Sequence, residues 1–278
     1  MLSRRSLLAG LGGVTVVGIA GGTLFATTRT PHAALAPWQA PGALADDPRI
    51  KAIEWAVLAP NAHNRQPWLI ELMGENDAVL RLDIDRRLPQ TDPFDRQTLI
   101  GLGAFAELLV LAAAEAGHTV TVTAFPEGAP DPSGQLDTRP IAHFAFGPGG
   151  TADPLFAAAP LRRSYKEPFE TDRPVSVATM AAIKDRAGRP MESTVAAEEV
   201  GALKRLCAKA WAIESTTPRT HQESVDLMRI GKAEINANPD GIDRDTRRRM
   251  LDGIARLNEE QFDTFGDPET AARIAQYE

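Results

Sequence analysis

Two short stretches of this chain carry residue types that could do chemistry. Residues 59–68 read Ala-Pro-Asn-Ala-His-Asn-Arg-Gln-Pro-Trp, a polar run bracketed by two prolines and closed by a Trp. Asn61, His63, Asn64 and Gln66 both donate and accept hydrogen bonds without a fixed charge. That set suits a planar heterocycle with alternating C=O and N–H groups better than a metal or a phosphate. The plainer alternative is an Asx-rich turn closed by its own side-chain-to-backbone bonds. Residues 161–166, Leu-Arg-Arg-Ser-Tyr-Lys, place three cations and a hydroxyl within five residues. Arg offers a planar fork for phosphate oxygens, Lys a mobile point charge and Ser a short donor, so the cluster is fit for a phosphomonoester. Alone it is better described as a basic surface patch.

Both stretches need elements to position them. Ahead of the first, Ala52, Ile53, Ala56 and Val57 recur at helical spacing behind Pro48, where proline is tolerated in a first turn. After it, Trp68, Ile70 and Leu72 alternate with Leu69 and Glu71, and Leu80, Leu82 and Ile84 alternate with Arg81, Asp83 and Asp85. With Gly74-Glu75-Asn76-Asp77 between them, these predict a hairpin. Gln97 to Ala116 predicts a helix with a wide face of Leu99, Leu102, Ala106, Leu109, Ala113 and Ala116, ended by Gly117. Val120, Val122 and Ala124 mark a strand, Pro126 to Pro140 a loop, and Ile141 to Phe146 a further strand before the Gly147–Gly150 boundary. Helices are expected at Val177–Ala187, Glu198–Glu214, Thr220–Ala237 and Thr246–Phe262, with a turn at Pro239–Ile242 and no clear strand after Phe146.

Two patterns are decoys. Gly101-Leu102-Gly103-Ala104-Phe105-Ala106 matches a dinucleotide fingerprint, but polar, turn-like residues precede it where a buried strand is required. Its glycines read as sites of close helix packing. Asp83 and Asp85 sit on the polar side of an alternating strand, a solvated face instead of an acid–base pair.

The string Pro60-Asn61-Ala62-x-Asn64-x-Gln66-Pro67-Trp68 resembles the Pro-Ser-x-x-Asn-x-Gln-Pro-Trp signature of FMN-dependent nitroreductases, with Asn61 in place of Ser. Arg162-x-Ser164-x-Lys166 resembles the opening Arg-x-Ser-x-Lys/Arg of the same domains. From Arg86 through Thr91-Asp92-Pro93 and Arg96 to the Gly-Ala-rich helix, the layout is similar to the Acg-type branch, in which two degenerate halves in one chain replace a homodimer. The resemblance implies an α+β fold with an antiparallel or mixed sheet flanked by helices, and a pseudo-dimer within one chain. It implies FMN as cofactor, with Pro60, Asn61, Ala62 and Asn64 along the ring and Arg162, Arg163, Ser164 and Lys166 at the phosphate and ring edge. It also implies hydride transfer from NAD(P)H to the flavin and then to a nitroaromatic or quinone. Related chains continue into strands and a Gly-rich segment that this one lacks, so the second half, residues 151–278, is expected to be incomplete after a first half at 37–150. Two other readings stay open: FMN binding without turnover, since an exported protein has little access to NAD(P)H, and an inactive truncated remnant.

Ser3-Arg4-Arg5-Ser6-Leu7-Leu8 precedes an uncharged, Gly-rich stretch to Thr28 and resembles a twin-arginine (Tat) export signal. Residues 1–36 are therefore expected to engage the Tat translocase, either as a cleaved signal or as an N-terminal membrane anchor. Export of folded protein suits a cofactor loaded in the cytoplasm. The net charge of −7, with dispersed acids, gives nothing to attract nucleic acid. Cys207 is the only cysteine and falls on an apolar stripe with Val200, Leu203, Leu206, Ala210 and Trp211, so it reads as a buried, inert thiol. The five histidines show no zinc-type spacing.

Overall fold

The computed structural model describes residues 30–131, 134–164, 169–170, 172–187 and 191–243. The twin-arginine stretch, Lys166 and the Thr246–Phe262 segment lie outside the described residues. A short helix, α1 (His32–Leu35), runs into a 3-10 turn at Ala36–Trp38. Helix α2 (Pro48–Ala56) starts where Asp47 accepts the Arg49 N–H at 2.8 Å and Pro48 presets the first turn. The chain then crosses the 59–68 loop and forms a hairpin of β1 (Trp68–Met73) and β2 (Asp77–Leu82), paired from Trp68↔Leu82 to Met73↔Asp77. Gly74 makes the turn at φ +52°.

Helix α3 (Arg96–Glu115) leads through Gly117, at φ +80°, into β3 (His118–Ala124), and β4 (Ala142–Pro148) returns beside it. The sheet runs β1-β2-β4-β3 and is antiparallel throughout. The fold class is α+β. The central strands β2 and β4 supply the apolar face: Ala78, Leu80, Leu82, Phe144 and Phe146 are buried with Leu102, Phe105, Leu109 and Ala113 of α3 and Ala52 and Ala56 of α2. Phe105 and Phe144 are fully enclosed, each contributing about 2–3 kcal/mol of apolar burial. Trp68 packs on Phe105 at a centroid distance of 5.1 Å, which seats the end of the 59–68 loop against the core helix.

The start of α3 is built by carboxylates. Buried Asp92 accepts the N–H groups of Gln97 (3.1 Å) and Thr98 (2.8 Å), satisfying donors a helix start leaves open. Asp95 sits in the left-handed region and is held by Arg87 and by the Leu136 N–H.

After β4 come a 3-10 segment at Pro154–Leu161 and helices α4 (Val177–Ala187), α5 (Ala197–Thr216) and α6 (Pro218–Asp226). Two-residue strands β5 (Met228–Arg229) and β6 (Ile242–Asp243) pair in parallel around α7 (Lys232–Ala237).

Several expectations are corrected. The single helix foreseen over Thr220–Ala237 is broken: Gly231 at φ +88° separates α6 and β5 from α7. Strands do follow Phe146, though only two residues long. Strand β2 ends at Leu82, and Asp83 instead caps the 3-10 turn Ile84–Arg86 through the Asp85 N–H and pairs with Arg86. Strands β1 and β3 lie at the sheet edges, so Leu72, Met73 and Val122 are exposed where strict alternation foresaw cover for Leu72 and Val122. Gly101 is a packing glycine, but Gly103 has no neighbour within 4 Å of a Cβ position. Cys207 is exposed, as are Leu203 and Leu206 on the same stripe.

Candidate functional site

The 59–68 loop has an unusual backbone. His63 (φ 47°), Asn64 (φ 50°) and Gln66 (φ 50°) all occupy the left-handed region, costing roughly 1–2 kcal/mol for each non-glycine residue. Three sets of contacts hold it there. Asn61 spans the loop: its Oδ1 accepts the Gln66 N–H at 2.7 Å and its Nδ2 donates to the Ala59 carbonyl at 3.1 Å. Gly101 of α3 comes close beneath, where a Cβ would lie 3.0 Å from the Asn61 Cβ. From the far end of the chain, the Pro239–Gly241 turn grips the loop. Gln66 Nε2 and Asn64 Nδ2 donate to the Pro239 carbonyl at 2.7 and 3.3 Å, and the Gly241 N–H reaches the Asn64 carbonyl at 3.3 Å.

The grip is electrostatic as well. Asp240 binds Arg65 from the loop and Arg229 from β5, the latter at 2.8 Å, and all three side chains are largely buried. The Arg65 Nε also donates to the Arg86 carbonyl, and Arg86 Nη1 returns a bond to the Arg65 carbonyl. Glu223 of α6 accepts the N–H groups of Gln90 and Thr91, tying that helix to the chain just ahead of α3. Burial, and then the neighbouring Glu223 charge, push the Glu214 carboxyl above its ordinary range.

Against this loop stands the basic cluster. Pro60, Asn61, Asn64, Arg162, Arg163 and Ser164 line one open cavity of about 740 Å³. Ala62 opens the 3-10 turn Ala62–Asn64 and is not on the cavity wall. Two stretches about a hundred residues apart in sequence thus face one volume. Arg162 is carried there by the 3-10 segment at Pro154–Leu161 and anchored by Nη2 donating to the Leu58 carbonyl at 2.9 Å. Arg163 Nη1 donates to the carbonyls of Pro160 and Arg162. Among the described residues neither guanidinium pairs with a carboxylate. Burial, and then the adjacent Arg163 charge, hold the Arg162 guanidinium below its usual range. Two neighbouring cations without a carboxylate partner at a concave surface give it a positive potential.

Sequence reasoning missed other parts of the wall. Ala33 and Ala34 come from the stretch that reads as targeting sequence, Pro37 and Trp38 from the residues just after it, and Trp211 from α5. The one hint was a Trp within a Pro- and Ala-rich stretch. His63 and Gln66, noted for their chemistry, also line the cavity, and His63 Nε2 lies 3.3 Å from Ser224 Oγ. Asn61 satisfies the plainer reading as well, since its carboxamide is spent on the loop itself. Among the described residues the carboxamide oxygens of Asn64 and Gln66 accept no hydrogen bond, and both residues line the cavity.

Fold and cavity together define an α+β protein with an antiparallel sheet and an open cleft lined by an amide-bearing loop and two arginines. No family model matches the chain. Over 119 residues it is 34% identical to "Putative NAD(P)H nitroreductase acg" of Mycobacterium tuberculosis, covering 42% of this chain and 34% of that protein. An uncharacterized protein of the same organism is 30% identical over 124 residues, covering 43% of this chain and 35% of that one. The matched stretch is about a third of the length of these curated relatives.

Proposed function

We propose that the cavity between the 59–68 loop and Arg162–Ser164 holds FMN, and that the protein is a nitroreductase-type oxidoreductase using NAD(P)H. The observation that carries this reading is the convergence of two carboxylate-free guanidiniums and an amide-bearing loop on a single cavity of about 740 Å³, within the range of cofactor sites. The partial similarity to the protein named "Putative NAD(P)H nitroreductase acg" supports it.

The donor set fits FMN group by group. Arg162, Arg163 and Ser164 offer guanidinium and hydroxyl donors for the phosphate. The carboxamide oxygens of Asn64 and Gln66 offer acceptors for a ring N–H, and Pro60 and Val57 supply apolar wall. When bound, FMN takes up hydride and passes electrons to an acceptor, for which a nitroaromatic or a quinone is the proposed class. The chain binds the phosphate and holds the loop in its left-handed form; no side chain is assigned as acid or base. We further propose that the twin-arginine segment directs Tat export of the folded, loaded protein, and that the chain carries two degenerate halves.

The test is a titration of the purified chain with FMN, alongside Arg162→Ala/Arg163→Ala, followed by NAD(P)H oxidation with a nitroaromatic. Loss of two charge-assisted contacts should weaken FMN binding by about a hundredfold or more, at ~1.5–3 kcal/mol each. An unchanged affinity in the double variant would remove the phosphate assignment. FMN binding with no NAD(P)H oxidation would identify a flavin-holding protein in place of a reductase.

A further inference from the structure

Trp38 lies under both guanidiniums of the basic cluster. Its ring is 4.2 Å from the Arg163 Cζ and 5.5 Å from the Arg162 Cζ, inside the range where an aromatic face attracts a cation. The ring is fixed from both sides along the chain. Before it, α1 is pinned to α7 by the Ala34 N–H donating to Asn236 Oδ1 at 3.2 Å. After it, the Glu54 carboxylate accepts the N–H groups of Gly42 and Leu44.

The two arginines need such a support. Like charges side by side repel, and among the described residues no carboxylate offsets them. Their hydrogen bonds run to the backbone carbonyls of Leu58, Pro160 and Arg162, which orient each guanidinium but supply no negative charge. The π-face of an indole supplies negative potential without forming a salt bridge, so the remaining N–H groups stay available to a ligand. A carboxylate in the same place would attract the cations more strongly and compete with an anionic ligand for them.

We propose that Trp38 is the positioning residue of an anion-binding fork, holding Arg162 and Arg163 together at the cavity so that both engage one phosphate group. That the phosphate belongs to FMN rests on the reading above; the fork itself rests on the ring and guanidinium geometry. A consequence is that the segment just after the export-signal-like stretch takes part in recognising the ligand.

The experiment compares FMN with riboflavin, which lacks the phosphate, on the whole chain and on Trp38→Ala, Trp38→Leu and Trp38→Phe. The expected result is an FMN affinity about tenfold lower in the Ala and Leu variants, with riboflavin affinity within about twofold and FMN binding largely kept in the Phe variant. Equal weakening of both flavins would make Trp38 a wall residue only and overturn the proposal. So would a Leu variant that binds FMN like the parent, because Leu keeps bulk without the π-face. If the parent binds neither flavin, the flavin reading fails and titration with inorganic phosphate decides. Phosphate binding that weakens about tenfold in Trp38→Ala upholds the fork, whereas no phosphate binding by the parent, or no change in the variant, overturns it.

Discussion

Replacing Asp240 with Ala should unfasten the cavity loop from a position off the cavity wall. The Asp240 carboxylate is 12% exposed and joins Arg65 and Arg229, which are 14% and 15% exposed. Breaking a buried ion pair costs about 3–5 kcal/mol and an exposed one about 0–1, so this nearly enclosed hub should cost about 2–3 kcal/mol of stability. The loop it secures stores a cost of its own. Left-handed His63, Asn64 and Gln66 together store roughly 3 kcal/mol or more that favours relaxation. Between the Pro239–Gly241 turn and the loop, what remains after the change is one good hydrogen bond, Gln66 to the Pro239 carbonyl at 2.7 Å, and two longer ones at 3.3 Å. The loop should therefore relax, and FMN affinity should fall about tenfold, or ~1.4 kcal/mol, beyond any effect on folding. Urea denaturation and flavin titration read the two effects, and an Arg65→Ala/Asp240→Ala cycle isolates the pair. If Asp240→Ala keeps stability within about 0.5 kcal/mol and affinity within about twofold, the hub does not hold the loop and the reasoning is wrong.

Other predictions concern packing and pH. Gly101→Ala should destabilise the protein by about 1–3 kcal/mol, because its Cβ would press on Asn61, whereas Gly103→Ala meets open space and should add about 1 kcal/mol of helix stability. Opposite signs in paired chemical melts check this. Glu214, raised by burial and by Glu223, binds its proton more tightly folded than unfolded, so stability should fall as pH rises from its ordinary value through the raised one. Glu214→Gln should remove that slope and stabilise the protein at pH 7. Asp47, lowered by its hydrogen bond from Arg49, contributes stability above the ordinary carboxylate range that is lost on acidification through its lowered value. Asp47→Asn should flatten the acid limb of the stability curve.

Local rules made much of the fold legible. Pro48 announced α2, the Gly74 turn announced the hairpin, and Gly117 marked the end of α3 within a residue or two. Each depends on backbone chemistry settled by a few adjacent residues. The failures depend on distant ones. Periodicity showed that Leu203, Leu206 and Cys207 share a helix face but not what covers it, and that face is exposed. Alternation in β1 and β3 could not reveal that both strands lie at sheet edges. The two cavity stretches were visible as residue types, and their shared volume came only from the fold. Trp38 carries no signal in its Pro- and Ala-rich surroundings, while its partners Arg162 and Arg163 lie more than a hundred residues away.

The central claim, that the cavity is a flavin site, is tested most directly by the visible absorption spectrum of natively purified protein, with heat release and chromatographic identification of any chromophore. The account predicts FMN at about one per chain, either as isolated or after incubation with FMN and removal of the excess. Colourless protein that takes up no FMN while giving a cooperative, folded melt would contradict it.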